Sequence, residues 1–219
     1  MADPYERFNR KTHAFNLAID KSVLRPISVA YYETLGRNVG ILVSNFSSNL
    51  STPLTVVNNV LQADIENAVK NTSNFVINST IGFGGIAKPA ENIGIIGNKT
   101  KFGDTLHHWG VREGAYVVLP FLGPSTSRDT AAIFVDRLIN PVGQFVPSKT
   151  RIYFVPVNAL KFVGDRGRLA STIDSVLYDS ADSYAQTRII YLQRRRYELR
   201  DQQEDYYFDP YADEDFKKE

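Results

Sequence analysis

From Asn38 to Ala63 the chain runs for 26 residues without one charged side chain. The stretch is not a plain hydrophobic span, because twelve of the 26 residues are Asn, Ser, Thr or Gln. Asn45, Ser48, Thr52, Thr55, Asn59 and Gln62 follow steps of three and four, which places them on one helical face. Leu42, Phe46, Leu50, Leu54, Val57 and Leu61 form the opposing apolar face. Pro53 predicts a break or kink that divides the stretch into two helices. A charge in hydrocarbon costs roughly 2.5–3.5 kcal/mol on insertion scales. A neutral amide or hydroxyl facing a wet cavity costs much less. A helix of this composition can therefore lie within a bilayer leaflet while its polar side lines an aqueous groove. A helix bound to the membrane surface would instead carry Lys or Arg on that side. A pair of soluble helices with a neutral polar side fits the same pattern, so the stretch alone leaves both readings open.

Two more tracts lack charge. Asn71 to Ala87 ends in Ile81-Gly82-Phe83-Gly84-Gly85-Ile86, an apolar turn whose glycines permit positive φ. It reads either as a hairpin tip pressed into lipid through Ile81 and Phe83 or as a buried tight turn. Gly114 to Ser127 contains Val117-Val118-Leu119-Pro120-Phe121-Leu122. Three such tracts in one chain favour immersion at an interface. No run of 18 apolar residues exists, so no ordinary transmembrane helix is expected.

The remaining organisation is helical. Asp3-Pro4-Tyr5-Glu6 predicts a capping box opening a helix with Phe8, Phe15, Ala18 and Ile19, which ends or bends before Pro26. Asp64 opens a helix carrying Ile65, Ala68, Val69, Thr72, Phe75 and Val76. Ser127 opens another, with Ala131, Phe134, Val135 and Leu138 on one side. Asp165 or Ser171 opens a helix through Ile173, Val176 and Leu177, and a last helix spans about Asp182 to Arg200. Tyr116–Leu119 and Ile152–Val155 are the strand candidates, each followed by proline. A chain of 219 residues with 43% hydrophobic content can build one core, or a core plus a membrane-facing surface. The expected fold is one mainly α domain over residues 1–200. Residues 201–219 form an acidic tail expected to be disordered, with eight acidic and two basic side chains.

Composition excludes several activities. There are no cysteines, so thiolate metal sites, disulfides and cysteine nucleophiles are out of reach. A net charge of +1 gives no field suited to nucleic acid. No phosphate-binding G-x-x-x-x-G-K-[ST] loop occurs, and neither cofactor nor metal is implied. A lipid hydrolase is the enzymatic alternative, but Gly123-Pro124-Ser125-Thr126-Ser127 lacks the last glycine of a nucleophile elbow. His107 and His108 are the bases near it, and Asp104 reads better as a helix cap than as a catalytic acid. The Arg194-Arg195-Arg196 cluster is open to three readings: a solvated face, a contact with anionic headgroups, or a contact with an acidic carrier surface.

Several motifs together resemble one family. Asp3-Pro4-Tyr5-Glu6-Arg7-Phe8-Asn9-Arg10 is similar to the opening of the MlaA/VacJ outer-membrane lipoproteins after their lipidated cysteine. Ser44-Asn45-Phe46-Ser47-Ser48-Asn49-Leu50 resembles their SNFxxNL motif, and Asn78 to Gly85 their glycine-rich segment. Phe102-Gly103-Asp104-Thr105-Leu106, Trp109-Gly110-Val111, Gly114, Tyr116, Leu119-Pro120 and Gly123-Pro124-Ser125 follow in family order, with Ala115 where proline is usual. Ser127-Arg128-Asp129 and the basic, aromatic Tyr191–Arg196 complete the match. The resemblance implies a helical ring in the inner leaflet of the outer membrane, lipid-anchored in the native protein, around an amphipathic channel. Such proteins take mislocalised phospholipid from the outer leaflet and pass it to a soluble periplasmic carrier, in association with trimeric porins. On this reading Asn45, Ser48, Asn49, Thr52, Thr55 and Asn59 line the channel, while Leu42, Phe46, Leu50, Leu54, Val57, Ile81 and Phe83 face the membrane. Arg194, Arg195 and Arg196 meet headgroups or the carrier. A purely structural, porin-holding lipoprotein is the non-enzymatic alternative.

Overall fold

A computed structural model of the chain describes residues 3–147, 149 and 154–201. Helix makes up 74% of the structure and strand 4%, in a single domain, which is the mainly α class expected. Helix α1 (Glu6–Ile19) starts without the predicted capping box: Asp3 Oδ1 accepts from the Tyr5 N–H at 3.2 Å, and Glu6 pairs instead with Arg10 at 2.8 Å. A π-helical turn, Asp20–Leu24, joins α1 to α2 (Arg25–Leu61), with Pro26 in the first turn of α2. The bend expected before Pro26 is thus a widened turn rather than a gap.

The break expected at Pro53 does not occur. Helix α2 passes through Pro53, and its one non-helical residue is Gly36, at φ 72° and ψ 175°. Glycine adopts that conformation without the Cβ clash that excludes other residues. Around Pro53 the hydroxyls of Ser51 and Thr52 donate to the Ser48 carbonyl at 2.8 and 3.1 Å, next to the carbonyl that loses its partner.

Asp64 caps α3 (Ile65–Thr80) as expected, accepting from the Asn67 N–H at 3.0 Å. The glycine-rich turn follows, with Phe83, Gly84 and Gly85 all at positive φ. Two short helices come next, α4 (Pro89–Asn92) and α5 (Phe102–His108). Tyr116–Leu119 is a strand, β1, paired antiparallel with β2 (Gly123–Thr126) in the register Tyr116↔Thr126 to Leu119↔Gly123. The second strand candidate, Ile152–Val155, falls partly outside the described residues, and its last two residues begin a helix. Helix α6 (Ser127–Ile139) is capped by Thr126 Oγ1. Then follow α7 (Pro141–Phe145), α8 (Phe154–Arg168), α9 (Ala170–Leu177) and α10 (Ser183–Asp201), with Asp182 Oδ1 accepting from the Ala185 N–H at the start of α10. Apart from Asp201, the acidic tail lies outside the described residues. Helix α2 is the spine, packing along both α8 and α3.

The helices have the expected amphipathic spacing, but their polar faces point inward. In α1 the buried residues are Asn9, Thr12 and His13, while Phe8 and Phe15 are exposed. In α3 the buried face is Asn67, Ala68, Asn71, Asn74 and Asn78, and Ile65, Val69 and Val76 are exposed. In α6 Arg128, Asp129 and Ala132 are buried, while Phe134 and Leu138 are 68% and 69% exposed. The buried apolar cluster is small: Tyr116, Val118, Tyr184 and Leu192, with Tyr191 against it.

Inward amides are tolerated only because they are bonded. Asn71 donates to Asn59 Oδ1 at 3.0 Å and to the Asn98 carbonyl at 2.9 Å. Asn74 donates to the Ile95 carbonyl, and Asn78 accepts from the Ala90 N–H. Two asparagines of α1 treat the free edge of β1 as a neighbouring strand would. Asn9 donates to the Tyr116 carbonyl (3.0 Å) and accepts from the Val118 N–H (2.9 Å). One heptad on, Asn16 does the same with the Leu119 carbonyl and the Phe121 N–H. The edge is thereby closed by side chains.

Candidate functional site

Two of the cavities that touch helix α2 bear on the predicted site. The first is polar and small, about 60 Å³, and Asn45, Ser48, Asn49, Thr52 and Thr55 of α2 all line it. Facing them are Asn71, Asn74 and Asn78 of α3, with Lys88, Glu91 and Lys99 at the far side. Asn59 is not on its wall. It is 1% exposed and holds Asn71, so its predicted lining place is corrected to a buried amide pair. The walls are largely committed to structure. Asn45 donates to the Ile86 carbonyl at 3.0 Å. Asn49 donates to Ser79 Oγ at 2.9 Å and to the Gly84 carbonyl at 3.0 Å, while its Oδ1 is buried without a donor. The volume suits roughly two water molecules, not a lipid headgroup.

The second cavity was missed by the sequence reading. It measures about 390 Å³ and lies between α1, the π turn, the β-hairpin and α8. Leu17, Val23, Leu24, Ile27, Phe121 and Phe162 give it an apolar wall. Its polar lining residues include His13, Asn16, Asp20 and Thr187. Asp20 accepts from Arg166 Nε and Nη2 at 2.9 and 2.8 Å and from the Tyr178 hydroxyl at 2.6 Å. Arg166 also reaches Asp174 at 2.7 Å, which in turn holds Arg25 at 2.8 Å. Burial, and then the Asp20 carboxylate, push the Tyr178 phenol up to about 12. Burial lowers the His13 pKa, and His13 Nε2 bonds Ser183 Oγ at 2.9 Å. The third charge-free tract was the available signal, since Phe121 and Leu122 form one lip of this cavity.

Of the seven residues assigned to the membrane side, Leu42, Ile81 and Phe83 are exposed, at 46%, 69% and 81%. Phe46, Leu50, Leu54 and Val57 are half-buried. The Phe46 ring lies beside Gly84, within van der Waals reach of any Cβ there. The outward apolar stripe is therefore narrower than the sequence spacing predicts, because α2 is flanked by α3 and α8.

The arginine cluster divides three ways. Arg194 is exposed and pairs with Glu198 at 2.7 Å, and Arg196 pairs with Glu113 at 2.7 Å. Arg195 is 4% exposed and sits between Asp104 Oδ1 (2.6 Å) and Asp129 (2.7 and 3.1 Å). Its expected contact with headgroup or carrier is corrected: the guanidinium is an internal tie between α5, α6 and α10. Burial raises the Asp129 carboxyl, but the Arg195 and then the Arg128 guanidinium outweigh it and hold it at about 2. Ser125, the serine of the hydrolase alternative, has its Oγ bonded to the Thr126 carbonyl and to Thr130. His107 Nδ1 faces Arg128 at 3.3 Å instead.

The family model for the MlaA lipoprotein matches residues 1–198. The chain belongs to the MlaA lipoprotein family. A Rickettsia typhi protein described as uncharacterized is 36% identical over 187 residues, 85% of this chain and 73% of that protein. The Shigella flexneri intermembrane phospholipid transport system lipoprotein MlaA is 34% identical over 197 residues, covering 88% of this chain and 76% of its own length. A solved structure described as the structural basis for maintenance of bacterial outer membrane lipid asymmetry superposes with a TM-score of 0.76 at 30% identity. It covers 91% of this chain and all of that one. In this MlaA-family chain the Ser44–Leu50 motif reaches the polar cavity through Asn45, Ser48 and Asn49, and Tyr116, Val118 and Phe121 to Pro124 line the apolar one.

Proposed function

We propose that this chain moves phospholipid at the outer membrane, lying in the inner leaflet with its exposed apolar residues among acyl chains. It takes mislocalised phospholipid from the outer leaflet and delivers it to a soluble periplasmic carrier, beside a trimeric porin. The observation that carries this reading is the inverted burial. Amphipathic helices that turn Asn, Thr and Arg inward and Phe, Leu, Ile and Val outward are built for an apolar surrounding. In hydrocarbon every polar group has to find its partner inside the protein, as the asparagines of α3 do. Among the described residues no helix is long and apolar enough to cross a membrane, so immersion is in one leaflet.

The two cavities divide the lipid between them. The apolar one is within the usual range for small-ligand sites, roughly 300–1,000 Å³, and holds a segment of acyl chain against Leu17, Val23 and Phe162. The headgroup travels at its polar rim, near Asn16, Asp20 and Thr187. The cavity beside Asn45, Ser48, Asn49 and Thr52 keeps a few waters next to the path and opens further only if the glycine-rich turn moves away. Transfer is passive, driven by downhill delivery to the carrier. The test uses the full chain in liposomes with lipid-free carrier, measuring carrier loading for wild type and Leu24→Trp, which fills the apolar cavity. Loading at least tenfold slower in the variant, with an unchanged melting profile, is expected. Equal loading rates sink the proposal, and porin capture without any lipid transfer would favour the scaffolding reading.

A further inference from the structure

A basic groove stands apart from both cavities. It measures about 750 Å³ and lies between the C-terminal end of α5, the loop after it, the first turn of α6 and the last turns of α10. His107, His108, Arg112, Arg128, Arg196 and Arg200 line it, against a single acid, Glu113, already paired with Arg196. The acids behind it, Asp104 and Asp129, are held by Arg195. Among the described residues the lining of the groove carries more cationic than anionic side chains, and Arg128 is also held by Asp129 from behind.

Arg128 is the decisive residue. It is 5% exposed yet belongs to the groove wall. Its Nε donates to Asp129 Oδ1 at 3.1 Å, and its Nη1 donates to the Val111 carbonyl at 3.3 Å and faces His107 Nδ1 at 3.3 Å. Its Nη2 is buried. Among the described residues nothing accepts from it, and a buried donor left unpaired is destabilising. Burial, and then the charges of Arg128 and Arg195, lower the His107 pKa, which leaves its Nδ1 free to accept from Arg128 and fix the guanidinium plane. Arg112 and Arg200 are exposed residues of the groove lining, contributed by the loop after α5 and the end of α10.

We propose that this groove binds a phosphate ester, with the phosphate oxygens taken by the guanidinium groups of Arg128, Arg112 and Arg200. Arginine forks favour phosphate because it offers several oxygens to planar pairs of donors. The groove is many times the size of a bare phosphate, so the group it fits is carried on a larger molecule. A lipid headgroup and a small soluble phosphate ester share this chemistry. The inference does not depend on lipid transfer and can fail or hold without it.

The test is calorimetric titration of the full chain in mild detergent with glycerol phosphate and with inorganic phosphate, against chloride at matched ionic strength. One saturable site for the phosphates and none for chloride is expected. Arg112→Gln with Arg200→Gln weakens binding at least tenfold. Arg128→Lys, which keeps the charge and loses the fork, weakens it at least fivefold, with thermal unfolding checking that the variant folds. Arg194→Gln, outside the groove, leaves affinity unchanged. Competition by phosphatidylglycerol vesicles assigns the site to a headgroup, and competition by the soluble ester alone assigns it to a metabolite. No saturable phosphate binding, or equal weakening by Arg194→Gln, overturns the proposal. So does phosphate binding that appears only after the acidic residues beyond Arg200 are changed to amides, because a carboxylate peptide would then be the occupant.

Discussion

Replacing Arg195 with methionine tests whether the C-terminal helix is an internal tie or a free basic face. The arginine is 4% exposed and makes its closest contacts at 2.6 Å to Asp104 and 2.7 Å to Asp129. In Arg195→Met, Asp129 keeps Arg128 at 3.1 Å, but Asp104 keeps only the Lys101 N–H at 2.9 Å and Thr100 at 3.3 Å. A buried carboxylate is left without a cation, and breaking such a pair costs about 3–5 kcal/mol. That is a large part of a typical domain stability of about 5–15 kcal/mol. Methionine fills a similar volume, so little of the loss is due to a cavity. Adding Asp104→Asn removes the orphan charge and recovers most of the loss. The pH dependence has a definite sign. In the wild type Asp129 titrates at about 2, below its ordinary 3.8. The stability it contributes is present above pH 4 and is lost as pH falls towards 2, on the order of 2 kcal/mol in all. The variant lacks much of this slope, so the gap between wild type and variant narrows on acidification. Urea unfolding in mild detergent at pH 7 and pH 3, read by helical circular dichroism, measures both effects. A loss under about 1 kcal/mol at pH 7, or a gap that widens as pH falls, refutes the internal tie.

Four other variants probe the inverted packing and the polar cavity. Gly85→Ala places a Cβ inside the Asn49 side chain at a backbone φ of 94°, so a loss of about 2–4 kcal/mol in chemical unfolding is expected. Gly84→Ala, with only the Phe46 ring at 3.4 Å, loses less. Asn71→Leu leaves Asn59 Oδ1 and the Asn98 carbonyl without their donor; it destabilises by about 2–4 kcal/mol although it adds hydrophobicity, and a stabilised variant in the same assay would count against a polar interior. Phe134→Lys with Leu138→Lys alters two exposed residues of α6; liposome partitioning falls at least tenfold while urea stability in detergent changes by under about 0.5 kcal/mol.

Helix positions were legible because caps and spacing are local. Asp64, Ser127 and Asp182 mark helix starts to within a residue, and Tyr116–Leu119 was readable as a short strand. Its partner was not, since Gly123-Pro124-Ser125-Thr126 carries the residues that strands avoid and pairs only because the turn at Phe121, φ 64°, returns it to β1. Pro53 was misread for the converse reason. A proline weakens a helix locally, but a long helix packed on both sides by α3 and α8 can carry it, and the chain bends where Gly36 permits. For the candidate site, five of the six residues expected to line a channel share the wall of one small cavity, because helical periodicity fixes which side chains lie together. The scale of that cavity was not legible: it depends on the asparagines of α3 and the glycine-rich turn, which arrive from elsewhere in the chain. The apolar cavity draws on α1, the hairpin and α8, so no single periodic stretch announces it. Arg195 read as one of three surface arginines because its partners, Asp104 and Asp129, lie 91 and 66 residues away in sequence.

Periodicity divides a helix into two faces but carries no sign. In water the apolar face turns inward, and α1, α3 and α6 read in that sense would bury Phe8, Val69 and Phe134. The structure buries Asn9, Asn71 and Asp129 instead. What distinguishes the two arrangements in sequence is the chemistry of the polar face. An outward polar face is rich in Lys and Glu, which hydration stabilises. The inward face here is mostly Asn, Ser and Thr, which are neutral, short and able both to donate and to accept. The exceptions are Asp20 with Arg166, and Asp104 and Asp129 with Arg195 and Arg128, each buried charge meeting its opposite within 3.1 Å. A charge-free helix rich in asparagine therefore signals more than an absence of charge. It marks a face that has to satisfy itself, which is what the proposed immersion in lipid requires.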